Sequence, residues 1–202
     1  MKKTSLVALL LFTCVSLFAQ QEKGVFTVQP KIGLNIANYR NAGDTDPRVG
    51  LAVGLESEYQ INHLFGIAVG VLYSMQGDKE TDFYNGHTAK VTDKFAYINV
   101  PIVLNLYVVK GLAFKMGVQP AFNITSDFEM KSYGRTLKGD YSDVLDVNAF
   151  DLSIPFGLSY EYKNIVIDGR YNLGVTEIVK EENVKNSVFQ FTIGYKFKLP
   201  KK

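Results

Sequence analysis

Nine ionisable side chains fall on positions that a chain alternating about its axis turns to one side: Lys31, Glu56, Glu58, Lys115, Asp151, Glu161, Asp168, Arg170 and Lys196. Four are basic and five acidic, a balance suited to mutual pairing or, if water reached them, to an ion path. Arg170 is the natural centre of a network, because its guanidinium fork can satisfy two carboxylates at once. Glu56, Glu58, Glu161 and Asp168 share its side. Enclosing such charges is tolerable only if they are paired, so the expectation is a structural network.

Other chemistry is thinly represented. Of the two histidines, His63 belongs to a short turn, and His87 stands in a polar stretch with Asp78, Asp82 and Asp93, where a solvated loop histidine is a simpler reading than a hydrolase or acyltransferase rim. Asp140, Asp143 and Asp146 lack the glycine and terminal glutamate of a calcium loop and read as charged surface. No enzyme activity, metal or cofactor is expected.

The N-terminus sets the compartment. Lys2 and Lys3 precede an apolar run from Leu6 to Phe18 that ends at Ala19, the pattern of a cleaved signal peptide over residues 1–19. That run is shorter than the roughly 20 residues of a transmembrane helix. Cys14, the single cysteine, sits between Thr13 and Val15 without the small preceding residue of a lipoprotein, and would leave with the signal. Loss of Lys2 and Lys3 brings the 22 basic residues level with the 20 acidic ones, which argues against a nucleic-acid partner.

Residues 20–202 then read as one domain that must position the nine charges. Its 17 Gly, 14 Phe and 12 Tyr, without Trp, suit closely packed strands better than helices. Period-two alternation recurs in eight runs, from Phe26–Ala37 through Val49–Glu58, Phe65–Ser74, Tyr97–Tyr107, Leu112–Asn123, Phe150–Glu161 and Ile165–Val175 to Phe189–Phe197. Each has an apolar parity opposite a polar one. The connections alternate long and short: 38–48, 77–94, 125–148 and 176–187 against 61–64, 108–111 and 163–164.

That rhythm suits an all-β, eight-stranded antiparallel up-and-down transmembrane β-barrel with short turns on one side and long loops on the other. A soluble ligand-carrying barrel would need the apolar parity inside, where Phe and Tyr from nearly every strand would overfill an eight-stranded lumen. The apolar parity is therefore assigned to lipid and the charged parity to the interior. Tyr59, Phe65, Tyr160, Tyr162, Tyr195 and Phe197 at one end, with Tyr73, Phe122, Phe150 and Phe189 at the other, are candidate interfacial girdles. The third long loop, with Phe128, Tyr133, Arg135 and Tyr141 among charges, is the candidate partner surface.

Four stretches carry a family likeness: PKIGLNIAN at the first run, YINVPIVLNLY at the fourth, GVQPAFNI at the fifth, and FDLSIPFGLSYEY followed by IDGRYNLGVTEI at the sixth and seventh. With them the chain resembles the PorT-like outer-membrane β-barrel family of the Bacteroidetes. It departs in having Asn105 where relatives often carry lysine after the fourth-run proline. Thr192, Gly194, Phe197 and Leu199 match the terminal-strand spacing that resembles the signal for the barrel-assembly machinery. The resemblance implies a barrel in a Gram-negative outer membrane and, through the member that names the family, an accessory part in type IX-like secretion. A monomer among lipid, acting through four surface loops, is expected, with surface binding of a small ligand as a further alternative. It supplies no catalytic motif.

Overall fold

A computed structural model describes residues 22–200 apart from Asp44, Asn85, Gly86, Tyr133, Gly134, Val144 and Glu181, and apart from the side chains of Asp82, Phe83, Tyr84 and His87. The expected signal peptide, residues 1–19, lies outside these described residues, as does Tyr133. The structure is built of strands: β1 (Phe26–Arg40), β2 (Asp46–Gln60), β3 (Phe65–Gln76), β4 (Asp78–Tyr84), β5 (His87–Asn99), β6 (Ile102–Val109), β7 (Leu112–Ser132), β8 (Arg135–Asp140), β9 (Phe150–Tyr162), β10 (Ile165–Gly174), β11 (Lys185–Tyr195) and β12 (Phe197–Lys198). All pairings between them are antiparallel, and neighbours in sequence are mostly neighbours in space, the up-and-down arrangement.

The sheet closes on itself. β1 pairs with β2 on one side and with β11 on the other, in a register running from Lys31↔Gly194 to Arg40↔Lys185. Closure leaves β1 and β11 no free edge along this seam, which satisfies their backbone groups without water.

Where eight strands are predicted, the described residues form twelve, and each extra one has a local cause. The fourth run breaks at Val100 and Pro101, because proline has no N–H to give the ladder; β3 pairs with β5 before the break and with β6 after it. Segments 77–94 and 125–148, expected as loops, instead contain the hairpins β4–β5 and β7–β8. There both faces of the strands carry polar residues, so no period was available to read. The last run is interrupted at Lys196 before β12 pairs Thr27 and Val28 of β1.

Side chains are sorted as the alternation requires. Ile32 is 53% exposed and Ile167 61%, whereas Glu58 is 7% and Arg170 3% exposed. Val53, Val69 and Leu104 are outward with them. The three short turns fall at Ile61–Leu64, Lys110–Gly111 and Lys163–Asn164.

Candidate functional site

Among the described residues, the interior holds two ion-pair clusters. In the first, Glu56 of β2 and Asp168 of β10 are bridged by three cations from three other positions on the wall. Lys115 donates to Glu56 Oε1 at 2.9 Å and to Asp168 Oδ2 at 2.6 Å. Lys31 donates to Glu56 Oε2 at 3.0 Å and stands 3.6 Å from Asp168 Oδ2. Arg170 reaches Asp168 through Nε at 2.9 Å and Nη2 at 2.7 Å, and Glu56 through the same Nη2 at 3.0 Å. The fork thus joins two carboxylates, while its Nη1 has no partner among the described residues.

Glycine makes room for these long cations. Lys31 has Gly54 and Gly194 as its two cross-strand neighbours, and Gly157 stands between Lys115 and Arg170. A Cβ on Gly157 would meet the carbonyl oxygen of Gly169 and lie 2.6 Å from the Arg170 Cα, so strand approach here depends on the missing side chain.

The second cluster lies toward the short turns. Lys196 donates to Glu58 Oε2 and Glu161 Oε2, each at 2.9 Å, and the Tyr107 hydroxyl donates to Glu58 Oε1 at 2.5 Å. Glu58 and Glu161 therefore belong to Lys196 rather than to Arg170, a correction to the single-centre network. Asp151 joins neither cluster. It sits near the long-loop end of β9, buried, accepting from the Thr176 hydroxyl at 2.7 Å. Tyr107 was visible only as a member of the polar parity.

At the long-loop end the mouth is filled by aromatic and apolar side chains. Phe95, Tyr97, Ala121 and Ile178 form a buried group, with Tyr39, Tyr141, Val147, Val179 and Val184 against it. The segment after β10 folds inward: Ile178 N donates to Val184 O at 2.9 Å, and Asn148 N to Ile178 O at 2.8 Å. Ile178 sat in a predicted loop, where nothing in the local pattern marked it as buried.

Of the candidate partner residues, Tyr141 stacks on Phe95 with ring centroids 5.9 Å apart, and Phe128 packs on Tyr141 at 4.9 Å. These two are half-buried and pack at the mouth, while Arg135 is exposed on β8. Of the three aspartates weighed for calcium, Asp146 pairs with Lys180 at 2.7 Å and Asp140 accepts the Ser142 N–H at 2.8 Å.

A cavity of about 190 Å³ opens beside the packed mouth, with Asp78, Asp93 and Glu80 on one wall and Tyr39, Phe95 and Tyr141 on another. Gly77 sets the carboxylate pair. Its φ of 120° is open to glycine, and a Cβ there would strike the Asp93 carbonyl oxygen, so the chain passes close enough to lay Asp78 against Asp93. Burial, with the Asp93 charge beside it, pushes the Asp78 carboxyl up to about 7. Burial also raises Asp93, against the hydrogen bond that the Tyr141 hydroxyl donates to it at 2.7 Å.

A closed strand wall, apolar outside and charged within, is what crossing a bilayer by strands requires. Comparison with known families agrees: the family described as the outer membrane protein beta-barrel domain matches residues 18–180. The chain belongs to this family. It is thereby an outer-membrane β-barrel of the Gram-negative envelope.

No curated protein matches the chain. Among solved structures, Ail, the attachment invasion locus protein of Yersinia pestis, in complex with the heparin analogue sucrose octasulfate, is 14% identical over 87% of this chain and 99% of its own, with a TM-score of 0.53. OprG from Pseudomonas aeruginosa is 9% identical over 91% of this chain and 100% of its own, at 0.47. Neisserial surface protein A is 16% identical over 85% and 97%, also at 0.47. At such identities the likeness to Ail is one of fold alone.

Proposed function

We propose that the protein is an eight-stave barrel whose bore is sealed by its own ion pairs, and that it acts without catalysis, through the structures at its long-loop end. In this count β5 and β6 form one stave, β4 and β8 are hairpin arms above the wall, and β12 continues β11. The observation carrying the proposal is the buried layer in which Lys31, Lys115 and Arg170 meet Glu56 and Asp168 across the bore. Barrels of this strand number have interiors just wide enough for side chains to fill. Side chains bridged across the bore occupy the path that a passing ion would need.

Reconstitution in planar bilayers tests this. The wild type is expected to show no sustained current; steady single-channel steps would show an open bore and end the reading. The PorT-like assignment within the family, and the accessory place in secretion that it implies, rest on the sequence motifs alone. Comparing proteins secreted by a deletion strain and its parent tests that second reading, with unchanged export counting against it.

A further inference from the structure

Beyond the apolar belt, the hairpin arms present a second charged surface that the bore does not use. On β5, Asp93 and Phe95 turn toward the mouth, and on β7 Phe128 packs there against Tyr141, so the alternate residues Lys94, Glu129 and Lys131 turn outward. β8 adds Lys138 opposite Glu129. Three ammonium groups converge on one carboxylate: Lys94, Lys131 and Lys138 stand 2.5, 2.9 and 3.7 Å from Glu129 oxygens.

Hydrogen bonds from Lys94 and Lys131 hold the Glu129 carboxyl down to about 2, so it stays charged and still leaves the group cationic. Lys79 and Lys90 continue the same outward face through their pairings with Thr92 and Lys131. Asp127 and Asp140 oppose each other across β7 and β8 at its other side. Asp46 of β2 stands opposite Lys79, so five lysines stand against four carboxylates.

The height of this face above the wall matters. Ile124 and Phe122 of β7 are exposed and apolar. Asp127, which is paired with Lys94, lies three residues further along, about 10 Å of strand. A tilted strand makes the vertical step shorter, and a lysine stem reaches back toward the interface with its ammonium among headgroups. Headgroup bands are only about 5–8 Å deep on each side of the hydrocarbon.

We propose that the outward face of β5, β7 and β8 docks the phosphate groups of the outer-leaflet lipid, with Lys94, Lys131 and Lys138 as the donors and Glu129 as the built-in competitor that orders them. Lysine serves as a point charge for phosphate, and three on one patch match a phosphorylated glycolipid better than an uncharged or zwitterionic one. The inference goes beyond the sealed bore and takes from it only the long-loop end in the outer leaflet. Lipid retention and bore current fail independently.

Native mass spectrometry of the folded, detergent-solubilised protein with diphosphoryl lipid A tests it. Retained lipid is expected for the wild type, with about tenfold less for Lys131→Gln combined with Lys138→Gln. Glu129→Gln, which removes the competing carboxylate, is expected to increase retention. Equal retention of dephosphorylated lipid A, or weaker retention by Glu129→Gln, overturns the proposal. Retention of inorganic phosphate without any retention of lipid A would assign the patch to free phosphate and overturn it as a lipid site. Gel mobility before and after boiling reports whether each variant is folded.

Discussion

At the scale of single residues, the two carboxylates of the first cluster matter more than the cation at its centre. Three cations share Glu56 and Asp168, so losing Arg170 leaves two against two, whereas losing Asp168 leaves three cations on one carboxylate. Breaking a buried pair by removing one partner costs about 3–5 kcal/mol, chiefly through the charge left unpaired. Asp168→Asn is therefore expected near that range and Arg170→Met below it, in urea unfolding from vesicles; the reverse order would count against the pairing seen here. The Asp78 carboxyl gives a pH signature. Its ordinary value of 3.8 is raised to about 7 in the fold, so the folded state binds the extra proton. The contribution is fully present below the unfolded value and is lost as pH rises through the folded one. Protection of backbone amides in β4 and β5, taken relative to the intrinsic exchange rate at each pH, is expected to be lower at pH 8 than at pH 5, and Asp78→Asn to flatten that difference. Equal protection at both values in the wild type would count against the buried acid pair.

At the scale of elements, strand spacing is set where glycine faces lysine or arginine. Gly157 stands between Lys115 and Arg170, and its Cβ would meet backbone on β10. Gly157→Val is expected to open the β9–β10 ladder and lower the yield of heat-modifiable barrel, while the exposed neighbour change Phe156→Leu leaves it near wild type. A wild-type yield for Gly157→Val would mean that the strands need no such approach. Pro101 acts differently. It ends one ladder and lets the wall pass from β6 to β5, above which the β4–β5 and β7–β8 arms rise with polar residues on both faces. Their strand character comes from tertiary pairing, since alternation carries no apolar signal there.

At the scale of the whole molecule, the outer belt and the sealed interior are two consequences of one closed sheet in lipid. Ile32, Ile193 and Ile167 lie in register across β1, β11 and β10, all outward. Ile193→Arg is expected to cost about 2–4 kcal/mol in vesicles if this row lies at the midplane, and unchanged stability would place it elsewhere. The amino-acid sequence determined which side chains share a face, because a strand has a period of two whatever its neighbours. It therefore placed Arg170 and Glu58 together inside and Ile167 outside, and it marked the three short turns. Which charge meets which was decided only by the tertiary structure. Glu58 went to Lys196, Glu56 to Lys31 and Lys115, and Asp151 to Thr176, because partners across a bore depend on strand register and closure, which local pattern does not contain. The mouth was likewise beyond local reading: Ile178 and Phe95 are core residues because distant segments fold over them, and burial is a property of what covers a residue rather than of the residue itself.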